Sequence, residues 1–364
     1  MDIKFTEQHS LFITYSKALA MITVVIGHYN WMPLDIYDPY IYHMPIFFII
    51  GGIVMKPIRD VKKWLKDCVT KYILYMAIWY MVIGLVTWVI NHIFATKIVL
   101  RFSDSGQFNP LEFALQSNMH NNSLFMVAWF LVAFFLISSL FKMQITLMLS
   151  YLQPRFVPLL CLVMGLLVGY VAIAEVAPLF DVKKYWPNPK EYWLINFVCQ
   201  LGVAYMYLAI GYVIQNNLKI FASFNIFIIS VLLMFTFVGN DSFHRLGMSW
   251  SQYPDGFSIH LVSALLGCFS LFSVAYFLSV SVNNRALKAI GLHSKDIMTM
   301  HMLAFVIIDL FMVQLGYYEY DKILALVHYK SASMWAIYIC FGLFMPIAVR
   351  YFISQLQKTM LVKI

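Results

Sequence analysis

Charge is scarce in this sequence. Asp, Glu, Lys and Arg together make up 12% of its 364 residues, against about 25% in a soluble domain. A water-soluble globular fold is excluded, because too few polar side chains remain to cover its surface. Cysteine is sparse too. Cys68, Cys161, Cys199, Cys268 and Cys340 lie in or beside apolar stretches and form no C-x-x-C pair. They read as small apolar fillers, not as a disulfide framework, and no metal site is expected. Low-complexity tracts and short internal repeats are missing. The longest outer loop, about 96–122, is under 30 residues, so no appended soluble domain is expected. No cleavable signal peptide is expected, since the first apolar run continues into a full span.

What fills the chain instead is apolar. Hydrophobic residues make up 62%, with 31 Phe, 23 Tyr, 22 Met and 9 Trp, and the mean hydropathy is +0.77. A helix needs about 20 apolar residues to cross a bilayer. Such runs fall near 11–30, 40–56, 72–95, 123–141, 156–178, 193–214, 220–239, 258–280, 296–316 and 332–356. The sequence therefore reads as an all-α polytopic integral membrane protein. About ten transmembrane helices form a single domain over 1–364.

The net charge of +8 does not point to nucleic acid, because the basic residues form no aromatic-interleaved soluble module. It points to orientation. With both termini inside, 16 of the 25 basic residues fall on the inner side, and 11 of the 17 acids fall outside.

Ionisable groups within spans are costly and mark candidate functional sites. The first span carries Lys17 and His28 eleven residues apart, which places both on one face about 16 Å apart along the axis. Lys17 can also snorkel inward, and His28 can cap the helix. The run His43-Met-Pro-Ile-Phe-Phe-Ile-Ile-Gly-Gly52 interrupts an apolar segment. It suits a broken helix lining a cavity, or helix packing through small residues. The loop 56–71 concentrates six basic residues, including Lys62, Lys63, Lys66 and Lys71. They suit lipid headgroups or a phosphate-bearing cytosolic ligand. Trp129 opens the fourth span and suits an interfacial belt. In the ninth, Ser294 is expected to cap the helix and His301 to share its face. Asp309 lies deeper, as a satisfied acid or as a partner for Lys17 or a histidine. Outer aromatics such as Trp31 and Tyr42 suit either the belt or sugar stacking.

Together these segments resemble the acyltransferase-3 family, the bacterial O-acetyltransferases of surface polysaccharides. Lys17-x10-His28 matches the family's Arg-x10-His spacing with Lys in place of Arg. His43 to Gly52 matches its "HMPlFFfiSG" run, with Gly51 where Ser is usual. Lys71 suits the second Arg of its R-x-x-R pair, with Cys68 at the first. Trp129-Phe130-Leu131 matches the fourth-span signature, and Gly291…Ser294…His301 the "G-x-x-S…H" opening of a late span. The fucose 4-O-acetylase-like subgroup is nearest.

The resemblance implies acetyl-CoA as cytosolic donor, with no metal. It implies a sugar hydroxyl of a surface polysaccharide or lipid-linked glycan (O-antigen, capsule or exopolysaccharide) as acceptor. It also implies the bacterial cytoplasmic (inner) membrane as location. The basic loop and Trp129 are then expected at the donor, and His43, Trp31, Tyr42 and Ser294 at the acceptor. Hydroxyl attack on a thioester needs a general base near neutral pKa. His28 is the first expectation, with His43 and His301 next, and Lys17 positions the donor or holds Asp309. Both direct transfer and an acetyl-His intermediate fit. A glycan flippase or small-molecule transporter is the alternative class.

Overall fold

The computed structural model describes residues 7–29, 37–104, 107–108, 110–180, 192–239, 247–331 and 333–361. Among these, eight helices are long and apolar enough to cross a membrane. They are α1 (Glu7–Tyr29), α3 (Val61–Phe94), α4 (Ala128–Tyr151), α5 (Val157–Leu179), α6 (Trp193–Ile214), α8 (Gly256–Ser281), α10 (Ser294–Gln314) and α11 (Trp335–Leu361). Shorter elements are α2 (Pro45–Ile53), α7 (Phe224–Gly239) and α9 (Arg285–Leu292). A two-residue ribbon, Ser103–Asp104 against Gln107–Phe108, decorates the 96–122 loop.

The segment 40–56 is broken, as its proline and paired glycines suggested. It is a 3-10 turn, Pro39–Ile41, followed by the nine-residue α2. Pro45 at the first turn has no N–H to extend the helix backward, and nine residues rise only about 14 Å. The basic segment 56–71 is not mainly a loop. From Val61 it is helix, continuous with the third span through a π-helical turn over Cys68–Ile73. Asp60 caps that helix by accepting from the Lys63 N–H at 3.0 Å.

Burial sorts the bundle. Most of α1, α6 and α10 is buried, whereas α3, α4, α5 and α11 bury a third or less. In lipid an apolar outward face costs nothing, so the peripheral helices stay hydrophobic all round. Helix α1 is one hub, packed by α8, α9, α10 and α11; α6 is the other, packed by α2, α4 and α5.

The hubs are joined where α2 crosses α6. A Cβ on Gly52 would overlap the Leu208 carbonyl oxygen, and one on Gly211 would overlap that of Ile49. The paired glycines thus permit backbone-to-backbone contact, while Gly51 and the neighbouring side chains of α2 line a cavity. Both sequence readings of this segment hold. Gly211→Ala is expected to cost about 1–3 kcal/mol by overpacking, read as a lower thermal unfolding midpoint in detergent. An unchanged midpoint would mean that α2 and α6 can part freely.

Candidate active site

Three histidines meet inside the bundle. The last turn of α1 supplies His28, α10 supplies His301, and the turn before α2 supplies His43. His28 Nδ1 lies 2.9 Å from the Val24 carbonyl oxygen, and His301 Nδ1 lies 2.8 Å from that of Ile297. A carbonyl only accepts, so both rings carry their proton on Nδ1. His301 Nε2 lies 3.2 Å from His28 Nδ1 and accepts from the same N–H, which it shares with the Val24 carbonyl in a three-centre bond. The tautomers follow: His301 orients His28, and His28 Nε2 is the nitrogen left with a lone pair. The His43 ring stands edge-on to His28 at 6.2 Å, and Tyr40 packs on both.

Asp309 lies eight residues beyond His301, about 12 Å along the axis. It is fully buried and saturated with donors. Its carboxylate accepts from His328 Nδ1–H at 2.7 Å, the Tyr338 hydroxyl at 2.6 Å and the Tyr329 N–H at 2.9 Å. The expected pairing with Lys17 is not present. Helices α1 and α10 run side by side in the same direction, so Lys17 lies about 16 Å on one side of the histidine pair and Asp309 about 12 Å on the other.

Lys17 instead lines a cavity of about 270 Å³ at the basic end of the bundle, with Ser294, Lys295, Lys71 and apolar Phe47, Phe130, Leu131 and Met298. This cavity continues into a groove of about 760 Å³ edged by Lys56, Arg59, Lys63, Lys71 and Lys142. The junction is tied together by Lys295, whose Nζ donates to the Lys71 carbonyl at 3.1 Å and sits 3.6 Å from the Tyr75 ring centroid. The π-helical turn, a form frequent at functional sites, places Lys71 there.

A third cavity, of about 260 Å³, opens at the far end. His28, Tyr40, His120, Trp129, Ser249, Trp250, Gln252 and Leu326 are among its lining. His28, 8% exposed, contributes to this wall.

The histidine pair thus stands between a basic channel and a far-end cavity whose lining, among the described residues, holds no Asp, Glu, Lys or Arg. An acyltransferase domain model, that of the acyltransferase-3 family, matches residues 10–354. This chain belongs to the acyltransferase-3 family. Neither a curated protein nor a solved structure gives a significant match.

The chain is accordingly a multi-pass membrane acyltransferase, and its motif residues can be followed through the fold. The Trp-Phe-Leu signature is split: Trp129 faces the far-end cavity, whereas Phe130 and Leu131 line the basic-end cavity. Trp129 therefore sits with His28, not in the basic groove where the donor was expected. Ser294 is not a cap. His293 holds that position without a side-chain cap bond, and Ser294 begins the helix and lines the cavity beside Lys17. Lys63, Asp67 and Lys71 recur every fourth residue and so share the groove-facing side of α3. Lys62 and Lys66, one residue out of step, are exposed and outside the groove lining. Tyr42 stacks on Tyr37 at 5.8 Å and covers Gly267 of α8, as a packing residue. Trp31 lies outside the described residues.

Sequence reasoning did not single out His328 or His120. Both sit on connecting segments, where no periodicity flags a buried side chain. The one usable signal was Asp309, an acid deep in a span that must find donors.

Proposed function

We propose that this acyltransferase moves the acetyl group of acetyl-CoA to a sugar hydroxyl, at the bacterial cytoplasmic membrane. The observation that carries the reading is the oriented His28–His301 pair between a basic channel and a cavity of neutral and aromatic side chains. The basic groove suits the phosphates of a CoA donor entering from the cytosol. The narrower cavity beyond it suits the pantetheine arm, with Lys17, Ser294 and Lys295 along its path. The far-end cavity suits the acceptor, a hydroxyl of a surface polysaccharide or of its lipid-linked precursor.

His28 Nε2 takes the proton from the acceptor hydroxyl as its oxygen attacks the thioester carbonyl carbon. The tetrahedral intermediate collapses, the C–S bond breaks, and the proton on His28 passes to the departing CoA thiolate. His301 holds the His28 ring through Nδ1 throughout, the third-group role of an activated base. Lys17, three turns from that base, positions the donor and does not meet the oxyanion. Membership of an acyltransferase family speaks against the transport reading.

The donor assignment is tested by charge removal. Lys63→Gln with Lys71→Gln is expected to raise the KM for acetyl-CoA about tenfold, equivalent to about 1.4 kcal/mol, with kcat little changed. Lys62→Gln with Lys66→Gln is expected to leave it within about twofold, because exposed charges outside a site contribute little. Equal KM values for both pairs would remove the groove from donor binding.

A further inference from the structure

We infer that the far-end cavity accepts one uncharged sugar ring at the end of its glycan, laid against Trp250 with a hydroxyl at His28. The inference rests on the acetyl-transfer reading and narrows its acceptor.

Size supplies the first argument. At about 260 Å³, the cavity falls below the roughly 300–1,000 Å³ of pockets that enclose drug-sized ligands. A space of that size suits a single ring beside His28. A terminal ring leaves through one linkage, whereas an internal residue would need room for two.

Charge supplies the second. Among the described residues, the lining holds no Asp, Glu, Lys or Arg. A carboxylate or ammonium on the sugar would be stripped of water without a partner, which is costly. Neutral hydrogen-bonding groups are present instead. His120 Nδ1–H donates to the Asn118 carbonyl at 2.8 Å, which ties the ring to its loop. Burial lowers this histidine to about 4, and it stays neutral at physiological pH. The Gln252 amide offers both donor and acceptor.

Rigidity supplies the third. Trp250 packs on the His120 ring at 4.6 Å and on the near-parallel Phe180 ring at 6.3 Å, and still contributes to the cavity wall. The carbonyl of Ser249 accepts from the side-chain amides of Asn118 at 2.7 Å, Asn196 at 3.1 Å and Gln200 at 2.6 Å. Three separate elements thus fix the segment that presents Trp250 and Gln252. A pre-set aromatic wall beside neutral polar groups suits the C–H face and hydroxyls of a sugar, at little ordering cost on binding.

The test uses the full chain in lipid nanodiscs with acetyl-CoA. Acceptors are neutral methyl hexosides and 6-deoxyhexosides, each hexoside paired with the uronoside that differs only in its C6 carboxylate. Products are read by mass spectrometry. Transfer to neutral members should exceed that to the matched uronosides at least about tenfold. Trp250→Ala should raise the acceptor KM about tenfold and leave the KM for acetyl-CoA unchanged. Equal acetylation of uronosides, or an unmoved acceptor KM, overturns the inference while acetyl transfer stands. If no glycoside is acetylated, calorimetric binding of the same glycosides decides. Neutral glycosides that bind wild type but not Trp250→Ala keep the pocket and sink acetyl transfer; absence of binding to wild type sinks the pocket.

Discussion

His28→Ala is expected to lower acyl transfer by about 10²–10⁴-fold, the usual contribution of a positioned general base, in protein that still inserts and runs as a single species in detergent. The expectation rests on proton bookkeeping. Val24 and Ile297 offer carbonyl oxygens to the two Nδ1 atoms, which leaves His301 Nε2 to accept from His28 and leaves His28 Nε2 for the acceptor hydroxyl. The neighbouring histidine is separable by the same logic. His301→Ala removes the group that orients the base, and is expected to cost about 10–100-fold, as loss of an orienting partner does. His301→Gln retains an oxygen able to accept from His28 Nδ1–H and should recover part of that loss. The measurement is a single-turnover rate with acetyl-CoA and an acceptor glycoside. Wild-type rates in His28→Ala would remove it as the base. A larger loss in His301→Ala than in His28→Ala would reverse the two roles.

The long helices were legible because lipid imposes a simple rule: about 20 apolar residues per crossing. That rule carries no information about interruptions. Pro45, Gly51 and Gly52 signalled a break near 40–56, but the seating of α2 against Gly211 is a contact more than 150 positions away that local sequence does not carry. The basic segment resisted reading for a related reason. Lysines at 62, 63, 66 and 71 look equivalent until the segment is helical, and then every-fourth-residue spacing divides them between groove and open face. At the site, the Lys17–His28 spacing correctly gave one face of one helix. It did not reveal that the two residues open onto different cavities, because the division is made by side chains from α4 and α10. His120 and His328 were beyond reach, and Trp250 was one outer aromatic among many that suit either the belt or sugar stacking. Each sits on an irregular segment held by long-range bonds, such as the amides of residues 118, 196 and 200 converging on Ser249.

Asp309→Ala is expected to destabilise the protein by about 3–5 kcal/mol, because it strands three buried donors at about 1–3 kcal/mol each. Asp309 and His328 both have fully buried side chains. Without the carboxylate, His328 Nδ1–H, the Tyr338 hydroxyl and the Tyr329 N–H all lose their acceptor, and each stranded donor carries its own penalty. His328 Nε2 already has no partner, so its ring would retain no hydrogen bond. The damage should spread to the far end of the bundle. The segment that carries His328 and Tyr329 also carries Leu326, a wall of the far-end cavity, and is further pinned by the Tyr29 hydroxyl on the Tyr329 carbonyl at 3.0 Å. A lowered unfolding midpoint and a raised acceptor KM should therefore appear together in Asp309→Ala, with the KM for acetyl-CoA unchanged. Asp309→Asn keeps one acceptor oxygen and the shape of the side chain, and should fall between. A variant that unfolds like wild type yet has lost kcat would show that Asp309 acts in the reaction itself, and its three bonds would then serve to hold a reacting group instead of a loop.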